Sequence, residues 1–137
     1  MKKNRNYSWM SWDMDLLRSQ MKEFMEQNYN KVFVFSTTNK RVLNMIEELE
    51  TGGRDKIARP ELFKPMSNRS NMRVMKITPI TICFILRSLK RYPYECSVYI
   101  SENKWMGEFP EELERLADWD GSYVQLENRL EVSTSGY

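Results

Sequence analysis

The sequence predicts an α+β or mixed α/β domain whose helices pack on one mixed sheet. Three observations lead there. Apolar residues recur at helical spacing in two segments of the first fifty residues. Short apolar or alternating runs elsewhere have strand character. The two patterns interleave in the order α-β-α-β-α-β-β-α-β-β.

The first helix is expected over 11–28. Ser11 can cap it, Asp13 and Asp15 suit the positive end of its dipole, and Met14, Leu17, Met21, Phe24 and Met25 form one stripe. A strand follows over 31–35, where Val32, Phe33, Val34 and Phe35 are apolar without alternation, the mark of a strand covered on both faces. The step through Ser36, Thr37, Thr38 and Asn39 supplies a cap for a second helix, in which Val42, Met45, Ile46 and Leu49 share a face. Gly52 and Gly53 stop it.

Residues 52–71 show little periodicity and read as a long basic loop. A strand is expected to resume over 72–77. Thr78 and Pro79 then form a cap and a first-turn proline. Over 80–91, Ile80, Thr81 and Ile82 favour strand while length and cap favour helix, and a largely buried helix is the reading adopted. Cys96, Val98 and Ile100 alternate with Ser97, Tyr99 and Ser101, a half-buried strand that turns at Glu102 and Asn103 into a partner over 104–106. Pro110, Glu111 and Glu112 open a short helix carrying Leu113 and Leu116. A closing hairpin is expected over 123–126 and 129–132. Residues 97–104 and 122–129 echo one another, which fits two hairpins using the same turn chemistry.

At 137 residues the chain is expected to form a single domain, 1–137, with 1–8 frayed at the N-terminus. The longest nearly unbroken apolar stretch, 80–86, is far short of the roughly 20 residues that cross a bilayer. The charged N-terminus has no apolar run behind it, so no signal peptide is read and a cytoplasmic location is expected, with no membrane partner. Cys83 and Cys96 are too few for a disulfide framework and read as small buried hydrophobes. Two alanines against ten methionines and ten asparagines suit an AT-rich genome such as that of a bacteriophage.

The chain has no histidine, which removes imidazole acid–base catalysis, the Ser–His and Cys–His nucleophiles and nearly all zinc sites. The charge is unevenly spread: residues 1–100 carry 18 Lys and Arg against 10 Asp and Glu, and residues 101–137 carry 3 against 9. Such separation attracts an anionic partner to one face, or lets two copies dock basic side to acidic side as a homo-oligomer.

Two places could hold an anion. The first is the junction Ser36, Thr37, Thr38, Asn39, Lys40 and Arg41, where a strand delivers hydroxyls and cations to a helix start; its plain alternative is an N-cap with no ligand. In an open α/β sheet, ligands collect at such carboxyl ends of strands. The second is the basic loop, whose Arg54, Lys56, Arg59, Arg69 and Arg73 could close over phosphate or carboxylate; its alternative is solvated loop charge. Phe63, Tyr92, Tyr94 and Tyr99 could stack on a base, though most aromatics serve packing. Asp13 with Asp15, and Asp118 with Asp120, are better explained as helix and turn formers than as metal ligands. Glu102 and Lys104 have the spacing of a nuclease core but fall on a turn. Of the four tryptophans, Trp9 and Trp12 near the terminus would suit a protein contact.

The expected function is therefore a small non-enzymatic binding protein, without metal or cofactor. It would capture an anionic nucleotide-like ligand, or block a host protein, through its basic face. The alternatives are a nucleic-acid-binding protein, a metal-dependent nuclease and an oligomeric assembly protein.

Overall fold

The structure, a computed structural model, describes residues 12–53, 58–66, 69–101, 104–105 and 108–130. Among them run α1 (Met14–Gln27), β1 (Val32–Thr37), α2 (Lys40–Thr51), β2 (Phe63–Met66), β3 (Arg69–Lys76), α3 (Pro79–Arg91), β4 (Cys96–Ile100), β5 (Lys104–Trp105), α4 (Glu111–Glu114) and α5 (Tyr123–Leu130). Single turns of 3-10 helix at Pro60–Leu62 and Arg115–Asp118 precede β2 and follow α4. The five strands form one sheet in the order β2-β3-β1-β4-β5. Every pairing is antiparallel, so the α+β class holds while the sheet is not mixed.

β1 is the central strand, and the described helices cover it on one face. Phe33, Phe35 and Thr37 are buried while Val32, Val34 and Ser36 are half-buried, an alternation the unbroken apolar run conceals. The register carries the buried face outward. Phe33 stands between Met75 and Ile100, and Phe35 between Arg73 and Val98. The helices pack on this face. Phe24 of α1 lies 6.4 Å from Phe33, Phe84 of α3 lies 5.8 Å from Phe35, and Glu50 of α2 approaches Arg73 at 3.9 Å.

Helix ends follow local chemistry. Asp13 caps α1 by accepting from the Leu16 amide at 3.0 Å, while Ser11 lies outside the described residues. α2 ends on Gly52, whose φ of 88° is the left-handed conformation glycine adopts without a Cβ penalty. Thr78 and Thr81 form a reciprocal capping box at the start of α3, so the helix reading of 80–91 holds.

Three further expectations change. The loop over 52–71 contains β2 and the start of β3. Leu62 and Phe63 are buried there, and Pro65 is tolerated because β2 is a sheet edge, where a missing N–H breaks no inner ladder. The hairpin over 123–132 is instead α5 as far as residue 130. The Ser122 hydroxyl accepts from the Gln125 amide at 3.1 Å and the Gln125 side chain accepts from the Ser122 amide at 3.0 Å, a capping box that overrides the strand-like Tyr123–Leu126 pattern. The echo between 97–104 and 122–129 consequently joins a strand to a helix. Finally, Met45 is exposed, so the α2 stripe narrows to Val42, Ile46 and Leu49.

The core is one cluster running from Leu17 to Leu130. Cys83 and Cys96 are both buried. Trp12 packs edge-on to Trp119 at 6.0 Å and lies under the Arg115 guanidinium, so it belongs to the fold; Trp9 and the frayed 1–8 lie outside the described residues. Among the described residues no helix is long and apolar enough to cross a membrane.

Candidate functional site

The carboxyl end of β1 opens on a shallow cleft of about 200 Å³ beside β4. Ser36, Thr38, Asn71 and Ser97 give it polar walls, and Tyr94 and Glu95 form its rim. Tyr94, in the turn between α3 and β4, is 98% exposed.

The Ser36 and Ser97 hydroxyls meet at 2.8 Å across the β1–β4 pair. Thr37 points the other way. It is 2% exposed, and its hydroxyl accepts from the Asn39 amide at 3.0 Å and from the Cys96 thiol at 3.2 Å. Thr37 also borders the cleft, but its hydroxyl is buried and already engaged in shaping the turn. The Thr38 amide donates to the Glu95 carbonyl at 3.0 Å, tying the β1–α2 junction to the turn before β4.

Asn39 caps α2. Its Oδ1 accepts from the Arg41 and Val42 amides at 2.8 and 3.1 Å. Those amides, the ones an anion would seek at a helix start, are thus already used. What the junction offers instead is side-chain charge: Lys40 and Arg41 are exposed and have no ion pair among the described residues. The rule that ligands collect at carboxyl ends of strands belongs to parallel sheets and does not apply to this antiparallel one.

The basic loop does not converge on this cleft. Arg59 donates to Glu127 of α5 at 2.6 Å. Arg73 lies on the helix-covered face, 3.9 Å from Glu50 and bonded at 3.0 Å to the Met72 carbonyl. Arg69 begins β3, and Arg54 and Lys56 lie outside the described residues. Folding thus spends two of the expected ligand arms on structural pairs.

A second basic concavity, about 420 Å³, lies along α3 between Arg87, Lys90, Arg91 and Trp119. Its cations are matched. Lys90 pairs with Asp118, Arg87 stacks 5.1 Å over Tyr123 and Arg91 lies 5.8 Å over Tyr92. Lys90 and Arg91 also stand at the negative end of the α3 dipole, which accounts for cations there without a ligand.

Neither thiol is poised to react. Burial pushes the Cys83 thiol up to about 12, against the pull of Arg87. Burial also raises Cys96; the Thr37 hydroxyl opposes the rise and the Glu95 charge adds to it. Asp13 is a cap and Asp15 pairs with Arg18. Among the described residues no three His, Cys, Asp or Glu side chains are grouped to hold a metal ion. Glu102 lies outside the described residues, with Lys104 on the sheet edge.

Tyr94, Glu95, Asn71 and Ser97 are the cleft residues that sequence reasoning did not join to Ser36. Their meeting depends on strand register, which no local pattern encodes. Comparison with known protein families, with characterised proteins and with solved structures finds no match for this chain.

Proposed function

We propose that the protein is a small non-enzymatic binding protein that captures an anionic, nucleotide-like ligand at the cleft between β1, β4 and the start of α2. One juxtaposition carries the reading: an almost fully exposed tyrosine, Tyr94, stands on the rim of a hydroxyl-lined cleft whose β1 wall leads directly into the exposed cations Lys40 and Arg41. A phosphate would meet the cations, ribose hydroxyls would meet Ser36, Thr38 and Ser97, and a base would lie against Tyr94. Glu95 on the same rim favours a ligand that brings hydrogen-bond donors beside its negative charge, as a nucleoside phosphate does.

The test is a titration of isotopically labelled protein with nucleoside monophosphates, followed by amide resonances. Shifts clustered on residues 36–41 and 94–97, weakened at least tenfold in affinity by Arg41→Ala and by Tyr94→Ala, are expected. No shift at millimolar nucleotide, or shifts confined to Arg87, Lys90 and Arg91, would overturn the assignment.

A further inference from the structure

The cleft's size raises a question about the rest of its ligand. About 200 Å³ is below the roughly 300–1,000 Å³ of pockets that enclose small molecules, so a ligand held at this cleft would extend beyond it. Its wall residues Ser36 and Ser97 are partners in the β1–β4 register and belong to the sheet face opposite the helices. The cleft is therefore one end of that face.

The face itself has an unusual composition. An antiparallel sheet with one side in water ordinarily alternates apolar-in with polar-out. Here the central row on the side that no described helix covers, the helix-free side among the described residues, reads Lys64, Val74, Val34 and Tyr99 across four strands. Three inter-strand steps make this row about 14 Å wide, and it lies two residues, or about 7 Å, from the row holding Ser36 and Ser97. Lys76 and Val32 form the row beyond. Among the described strand residues this face holds no carboxylate. Lys64 and Lys76 are exposed and have no ion pair among the described residues, and Tyr99 is 40% exposed.

Resting on the cleft reading above, we propose that the ligand is a single strand of nucleic acid, one nucleotide seated in the cleft and the following ones laid across the helix-free face. Bases present apolar faces that suit Val34, Val74 and the Tyr99 ring, and their phosphates suit Lys64 and Lys76. A flat platform of this kind is open to a splayed strand and closed to a duplex, whose bases are already stacked on one another. An acidic protein segment would satisfy the lysines as well, but it would leave the hydroxyl-lined cleft and the exposed Tyr94 without a role.

The experiment is fluorescence anisotropy of the full chain with labelled oligouridylate and oligothymidylate of 1, 5 and 15 nucleotides, at several salt concentrations. Affinity is expected to rise at least tenfold from one nucleotide to five. Tyr99→Ala is expected to weaken the five-nucleotide ligand about tenfold while leaving the mononucleotide unchanged, with Tyr99→Phe restoring it. Lys64→Ala with Lys76→Ala should reduce the slope of log affinity against log salt by about 1.4, since each phosphate contact on a single strand contributes about 0.7. Mononucleotide binding with no gain from length would overturn the extended ligand and leave the cleft standing. Binding of neither would overturn both. Oligonucleotide binding indifferent to Tyr99→Ala, or displaced equally well by a duplex or by polyglutamate, would overturn the sheet platform.

Discussion

The Asn39 side-chain amide donates to the Glu95 carboxylate at 2.6 Å, while the oxygen of the same side chain closes the start of α2. One residue thus caps a helix and fastens it to the turn that leads into β4. Asn39→Ala should cost about 1–2 kcal/mol, the usual loss for a removed cap. Asn39→Asp keeps the capping oxygen but sets two carboxylates side by side, so its penalty should shrink as salt is raised. Urea denaturation of the three proteins at low and high salt reads both effects.

Cys83 gives the fold a specific alkaline sensitivity. Its thiol is held up to about 12 by burial, against an ordinary 9.0, so the folded chain keeps a proton that the unfolded chain releases. The stability tied to that proton is fully present below pH 9 and is lost as pH rises from there toward 12. The slope is about 1.4 kcal/mol per pH unit for one group. The unfolding free energy of the wild type should therefore fall more steeply above pH 9 than that of Cys83→Ala. A thiol reagent at pH 8 should leave Cys83 unmodified until denaturant is added.

Gly121 has no room for a side chain. A Cβ there would stand 2.7 Å from Cζ2 of Trp119, a ring that is 2% exposed and fixed by Trp12 and by its own bond to the Ser122 carbonyl at 3.1 Å. Gly121→Ala should destabilise by about 1–3 kcal/mol, the range for overpacking a filled core, and should change tryptophan fluorescence in the folded state.

Arg18 closes the last turn of α5 from a distance of more than a hundred residues in sequence. Its Nε and one terminal nitrogen donate to the carbonyls of Leu130 and Arg129, both at 3.0 Å. Arg18→Met keeps the aliphatic stem and removes the donors. It should cost about 1 kcal/mol, below the usual range for charge-assisted bonds because the site is partly exposed. Hydrogen exchange should show the loss as faster opening of α5 before the rest of the fold.

Much of this architecture is legible in the chain because it rests on local chemistry. The stripe of Leu17, Met21, Phe24 and Met25, the Gly52 stop and the Thr78–Pro79 start all lie within one or two helical turns of what they control. Misreadings arise where two local signals compete. The serine and glutamine flanking Tyr123 and Val124 carry a capping box, and it prevails over an alternation that resembles a strand because Leu126 and Leu130 then face the core together. The four-residue apolar run in β1 hides a one-sided strand, since valine tolerates partial exposure as readily as burial. The cleft was half legible. Ser36 and Thr38 share one short stretch with Lys40 and Arg41, but Ser97, Asn71 and Tyr94 join them only through pairings separated by up to 61 residues. Arg59 and Arg73 look like free cations in the sequence because their partners, Glu127 and Glu50, are supplied by other helices.

The central position of β1 also governs how the chain is made. Phe33 needs Met75 on one side and Ile100 on the other, so neither ladder can close until far more of the polypeptide has been synthesised. At roughly 5–20 residues per second, β1 waits roughly 3–13 s for its second neighbour. Until β3 emerges, Val32, Phe33, Val34 and Phe35 form an unpaired, uncharged ribbon on the nascent chain, and one edge of β1 stays open until β4 follows. Slow codons between β1 and β4 lengthen the interval, and expression yield should fall with them even though the finished protein is identical.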